Sequence, residues 1–146
     1  MKRFLTILTL TAGLVCAPLA SLHAATDAEV EARRIVLELA GAFSNDGFKL
    51  RDGVAMGSLE PGKAKLVQVN LYAGNEYWFS LAASGGAKKV AVTVFDETGK
   101  KIDSEPYQEG VTAAAGFSPD VSGPYFVKVE LVEGTTSSFC LLYSYK

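Results

Sequence analysis

Apolar and polar residues alternate in two different rhythms along this chain, and the change of rhythm near Gly47 divides it. Before that point, Ala32, Val36, Leu39, Ala40 and Phe43 recur at the spacing of one helical face, with Asp27, Glu31, Arg34 and Glu38 on the other side. Thr26 followed three residues later by Glu29 is a capping-box start, so a helix from Thr26 to Phe43 is predicted. Ser44-Asn45-Asp46-Gly47 supplies turn residues that end it.

After Gly47 the period falls to two. Val67, Val69 and Leu71 oppose Gln68 and Asn70, and Tyr77, Phe79 and Leu81 oppose Trp78 and Ser80. Val90, Val92 and Val94 oppose Ala91 and Thr93, and Tyr125, Val127, Val129 and Leu131 oppose Lys128 and Glu130. Turn signals separate these runs at Glu60-Pro61-Gly62, Ala73-Gly74-Asn75, Ser84-Gly85-Gly86, Asp96-Glu97-Thr98-Gly99, Glu109-Gly110, Ser118-Pro119-Asp120, Ser122-Gly123-Pro124 and Glu133-Gly134. Short strands broken by frequent turns predict a mainly β, antiparallel, jelly-roll-like sandwich. The strands expected are Lys65 to Tyr72, Glu76 to Ala83, Lys89 to Phe95, Lys100 to Ser104, Val111 to Phe117, Tyr125 to Val132 and Ser138 to Tyr145, with no second helix. Trp78, Phe126, Cys140 and Leu142 point away from the shared core on this reading. The helix, laid across the outside of one sheet, is the expected cover.

The first two dozen residues follow neither rhythm. Met1-Lys2-Arg3 precedes an apolar run from Phe4 to Leu22, and Leu22-His23-Ala24 ends in the small residue that a signal peptidase needs. The expected organisation is a signal peptide over 1–24, a helix and turn over 25–47 and a sandwich domain over 48–146. The run is followed too soon by charged residues for a membrane span of roughly 20 apolar residues. Leu14-Val15-Cys16 is a poor lipidation site, because Val15 stands where a small residue is wanted. The expected location is the periplasm or the exterior, with no stable membrane span after cleavage.

Cleavage changes the available chemistry. The single histidine, His23, and Cys16 leave with the leader, so a Ser-His-Asp or Cys-His relay cannot be assembled and a zinc site loses its usual ligands. The chain holds 14 basic and 16 acidic residues, and Lys2 and Arg3 depart too, which makes nucleic acid an unsuitable partner. Lys88-Lys89 and Lys100-Lys101 sit at strand ends, where charge discourages edge pairing. With Cys140 alone no internal disulfide forms, and the domain must rely on core packing.

What remains is binding chemistry, through loops or an aromatic surface. Trp78, Tyr107 and Tyr72 are the candidate aromatic contacts, and Tyr107, in the loop Glu105-Pro106-Tyr107-Gln108-Glu109, is expected to be the most exposed. Asp96, Glu97, Asp103 and Asp120 are loop carboxylates of the kind calcium takes, although no compact Asp-x-Asp-x-Asp run occurs; no other cofactor is expected. Carboxylate hydrolysis, the minor alternative, would need two of the loop residues Asp96, Glu97, Asp103, Glu105, Glu109 and Asp120 about 5 to 10 Å apart in a cleft.

From about Gly57 onward the motifs are shared with a known module. They are Gly57-Ser58-Leu59, Val67-Gln68-Val69-Asn70-Leu71 with Ala73-Gly74, Tyr77-Trp78-Phe79-Ser80-Leu81, and Val92-Thr93-Val94-Phe95-Asp96 with Gly99-Lys100. Ala115-Gly116-Phe117-Ser118-Pro119 and Ser122-Gly123-Pro124-Tyr125-Phe126-Val127-Lys128-Val129 complete the series. In this order they resemble the bacterial pre-peptidase C-terminal domain, a non-catalytic sandwich appended to secreted proteases. The resemblance implies a helper module that aids secretion, stability or attachment, with a protein or polysaccharide of the envelope or exterior as partner. A structural accessory subunit of an envelope assembly is the alternative. The chain departs from that pattern in placing an amphipathic helix where a peptidase would stand. Tyr125 is expected to turn its ring inward and its hydroxyl across the corner.

Overall fold

In the computed structural model, residues 24–51 and 55–146 are described; the expected leader and its cleavage site precede or border them. Helix α1 (Asp27–Ser44) starts as the sequence requires. Thr26 Oγ1 accepts from the Glu29 amide at 3.2 Å, and the Glu29 carboxylate accepts from the Thr26 amide at 2.9 Å. Gly47, in the left-handed region at φ 86°, closes the turn that follows.

Among the described residues seven strands follow: β1 (Lys49–Leu50), β2 (Ala55–Leu59), β3 (Lys65–Leu71), β4 (Tyr77–Phe95), β5 (Glu105–Glu109), β6 (Thr112–Phe117) and β7 (Gly123–Tyr145). All pairings are antiparallel. Two strands are much longer than expected. The separate strands anticipated on either side of Ser84-Gly85-Gly86 are one strand, β4, and those on either side of Glu133-Gly134 are one strand, β7. The two pair along their whole length as a ribbon, from Tyr77↔Tyr145 to Phe95↔Phe126. The glycines that suggested hairpin turns instead bend this ribbon. The register shifts between Gly85 and Val90, and Gly134 stands at φ 123°, where a Cβ would lie 2.4 Å from the Gly86 carbonyl oxygen. Sandwich corners are made by such bulged strands, which pass from one sheet to the other.

Each half of the ribbon is widened by different strands. Beside the first half, β6 and then β5 extend from β4, while β2 and β1 join β7; beside the second, β3 joins β7. One core joins the inward side chains of both halves: Tyr77, Phe79, Leu81 and Phe139 from the first, and Val90, Val94, Val127, Val129 and Val69 from the second. The expected class is therefore what the chain adopts, a mainly β antiparallel sandwich with one helix outside a sheet. The segment Lys100 to Ser104 forms no strand; it pairs with β4 at the isolated bridge Phe95↔Lys101, and its Ile102 packs on the core. Tyr125 donates its hydroxyl to the Val121 carbonyl at 2.8 Å, closing the corner as anticipated.

Helix α1 covers the outer side of the first half. Ala32, Val36 and Ala40 pack on Ala82, Cys140 and Leu142, forming a second core separate from the first. Small residues on the sheet let the helix approach, and Ser84 Oγ anchors it by donating to the Ala28 carbonyl at 2.5 Å. The cover is imperfect in its polarity. Ser80 and Ser144 lie on the covered face with buried hydroxyls that have no hydrogen-bond partner among the described residues. The outer strands carry their own guards. Pro106 sits in β5, and Lys65, on the inward side of β3, holds its ammonium 5.7 Å from the Phe139 ring centroid.

Candidate functional site

Cross-strand rows run over the helix-bearing face beyond the helix itself. Trp78, Gly116 and Glu105 are successive partners, as are Ser80, Ala114 and Tyr107. Trp78 leans across its glycine neighbour. A Cβ on Gly116 would meet indole carbons at 2.9 to 3.1 Å, so any larger residue would displace the ring. On its other flank the indole stacks on Phe43 from the end of α1, with centroids 4.4 Å apart and planes inclined by 11°. The expected placement of Trp78 under the helix is borne out, and the ring is half-buried. Phe48 packs edge-on against Phe43 at 6.5 Å, continuing the aromatic wall.

This wall borders a concavity of about 360 Å³, lined by Phe48, Trp78, Gly116 and Phe117 and by the carboxylate residues Glu76, Asp103, Glu105 and Asp120. Among the described residues, no basic one lines it. At its edge sits the last residue, Lys146, whose main chain exchanges hydrogen bonds with that of Glu76 at 2.9 and 3.0 Å. The Lys146 ammonium lies 3.1 Å from the Glu76 carboxylate and 4.5 Å above the Phe48 ring centroid. Asp103, Glu105 and Asp120 form no ion pair among the described residues.

The three aromatic candidates do not converge. Tyr107 shares the outer face with Trp78, two strands away, whereas Tyr72 follows β3 on the other sheet. Tyr107 also lies in strand β5 and not in a loop, and it is less exposed than Tyr72, at 37% against 54%. Its hydroxyl donates to the Glu109 carboxylate at 2.8 Å, and that bond, ahead of burial, raises its pKa.

The four proposed calcium donors are likewise divided. Asp96, Glu97 and Asp120 border one concavity and Asp103 and Asp120 the other. No group of three or more His, Cys, Asp or Glu is placed to hold a metal ion among the described residues. Asp96 serves the turn: its Oδ1 accepts from the Thr98 hydroxyl at 2.6 Å and from the Thr98 and Lys100 amides at 2.9 and 3.0 Å. The Thr98 hydroxyl, followed by the Lys100 amide, holds the carboxyl below its usual range. Cys140 is buried under α1, and burial pushes its thiol up to about 11, so it is a packing residue of low reactivity.

Phe126 corrects another expectation. It points outward, but on the second half of the ribbon, where α1 does not reach. There Leu66, Phe95, Phe126 and Lys128 line an open groove, with Lys128 paired to Glu130 at 2.6 Å. Glu76, two positions before Trp78 in the chain, and Glu105, set beside it by the register of β4, β6 and β5, were not expected as binding residues; Gly116 between two apolar runs was a local signal of the site. Among the described residues no helix is long and apolar enough to cross a membrane. No family model matches the chain, and no curated protein matches it.

Proposed function

We propose that this chain is an exported, non-catalytic sandwich module that binds a protein or polysaccharide partner at the concavity beside Trp78. The observation that carries this reading is the glycine beneath the indole. Gly116 leaves room for a large ring to lie across the sheet, and Phe43 fixes that ring from the other side, giving a preformed aromatic contact bordered by hydrogen-bonding groups. A helper role of the kind found in the pre-peptidase C-terminal domain agrees with such a surface and with a leader that directs export. A second reading, a structural accessory subunit of an envelope assembly, is favoured by the apolar groove of Leu66, Phe95 and Phe126 on the other face.

Glycan arrays and immobilised envelope proteins, probed with the purified mature chain, test the first reading. Trp78→Leu should weaken capture about tenfold, in line with loss of an aromatic hot spot, while Tyr72→Ala, on the other sheet, should leave it unchanged. Capture that ignores Trp78, or turnover of any substrate, would overturn it. Mass spectrometry of the exported product should find Ala25 at its N-terminus.

A further inference from the structure

We infer that α1 is a lid that opens as a unit while the sandwich stays folded, its seat loosened by hydroxyls buried beneath it. The inference stands apart from the proposed binding role, because it concerns the covered centre of the first half and needs no partner. Little besides apolar contact ties the helix to the sheet. Among the described residues one side-chain hydrogen bond crosses from sandwich to helix, from Ser84 to the Ala28 carbonyl. The ion pairs of α1, from Arg34 to Glu31 and Glu38, stay within the helix, as do the bonds of its capping box. Its buried residues are Ala32, Val36 and Ala40, with Ile35 packed beside them, and two alanines and a valine remove little apolar area from water.

The seat also carries a penalty. Ser80 and Ser144, 0% and 2% exposed, hold hydroxyls under α1 with no hydrogen-bond partner among the described residues, and such groups regain water when the cover lifts. A cavity of about 120 Å³ lies between Ser144 and the last turns of the helix at Leu37, Gly41 and Ser44, so packing there is incomplete. A hinge stands where one is needed. The turn from Asn45 to Gly47 is exposed and held by main-chain bonds to Phe43 and Ser44, and Gly47 has no neighbouring atom where a Cβ would stand. The main core is a separate cluster to which α1 contributes no side chain among the described residues. Opening would bare Ala82, Cys140 and Leu142 together and withdraw Phe43 from the Trp78 indole. The covered face is thus a latent apolar bed, shut by the chain's own helix.

Cys140, fully buried in that bed, reports the opening. The full mature chain is treated with an excess of a chromogenic aromatic disulfide, and the rate of thiol labelling is followed against urea. Labelling should proceed without denaturant, with a urea dependence about a third or less of that for global unfolding, because opening exposes far less surface. Amide exchange read by mass spectrometry should find Val30 to Ser44 exchanging ahead of β4 and β7. Ser84→Ala, which removes the crossing bond, should speed labelling about fivefold, whereas Ser80→Ala and Ser144→Ala should each slow it about fivefold. A helix that leaves its seat only when the whole domain unfolds predicts labelling with the full urea dependence of global unfolding. That result would overturn the inference. So would α1 amides exchanging in step with those of β4 and β7, or Ser80 and Ser144 variants that leave the labelling rate unchanged.

Discussion

The two outer faces of the sandwich are built from the same pair of strands yet have opposite fates. Where β4 and β7 begin and end, their outward residues are small or apolar: Ser80, Ala82, Cys140 and Leu142, all buried under α1. Past the bend the same strands turn out Thr93, Phe95, Phe126, Lys128 and Glu130, all only half-buried and, among the described residues, with no helix above them. The difference teaches that one ribbon can supply both a docking bed for the chain's own helix and an open surface. The bend at Gly86 and Gly134 marks the division. The first half is covered at its centre by α1, and the concavity beside Trp78 lies at its margin, by the end of the helix.

The largest break in this comparison should come from the bend itself. Gly134→Val forces a branched side chain into left-handed backbone and against the Gly86 and Lys88 main chain, so a loss of about 4 kcal/mol or more is expected in urea unfolding. A loss below 1 kcal/mol would mean that the bend tolerates a side chain and does not define the two faces. A matched pair sharpens the contrast. Leu142→Ala, beneath the helix, should cost about 3 kcal/mol, whereas Phe126→Ala, at the half-buried groove, should cost about 1 kcal/mol. Equal costs would show that the second face is also covered in solution. The smallest effect has the opposite sign. Ser80→Ala removes a buried hydroxyl with no partner among the described residues and should stabilise the chain by about 1 kcal/mol. Destabilisation would mean that the hydroxyl is satisfied at the helix–sheet interface.

Much of this arrangement was legible before any coordinates. The capping box at Thr26 and Glu29 located the helix start, because a cap is a local device whose partners lie within one turn. Alternation gave the inward faces of β3, β4 and β7, and the outward Trp78 announced that something must lie over it. The bend was not legible. Ser84-Gly85-Gly86 and Glu133-Gly134 have the composition of hairpin turns, and only their mutual pairing across the ribbon makes them a corner. Strand β5 was hidden by Pro106 and two glutamates, which suit an edge but not a pattern search. The acidic border escaped for a related reason. Glu76, Asp103, Glu105 and Asp120 are scattered over 45 positions of chain and meet only through the register of three strands and the loop geometry beside them.

The inward-facing ammonium of Lys65 has a consequence for how the molecule behaves in a crowd. β3 is a seven-residue border with valines and leucines, and without a guard it would invite another copy to add a strand and so begin a fibre. A strand laid alongside would have to close over that charge and strip its hydration. Lys65 is thus the charge that a second copy would meet first at this border, where an inward-pointing lysine opposes strand addition.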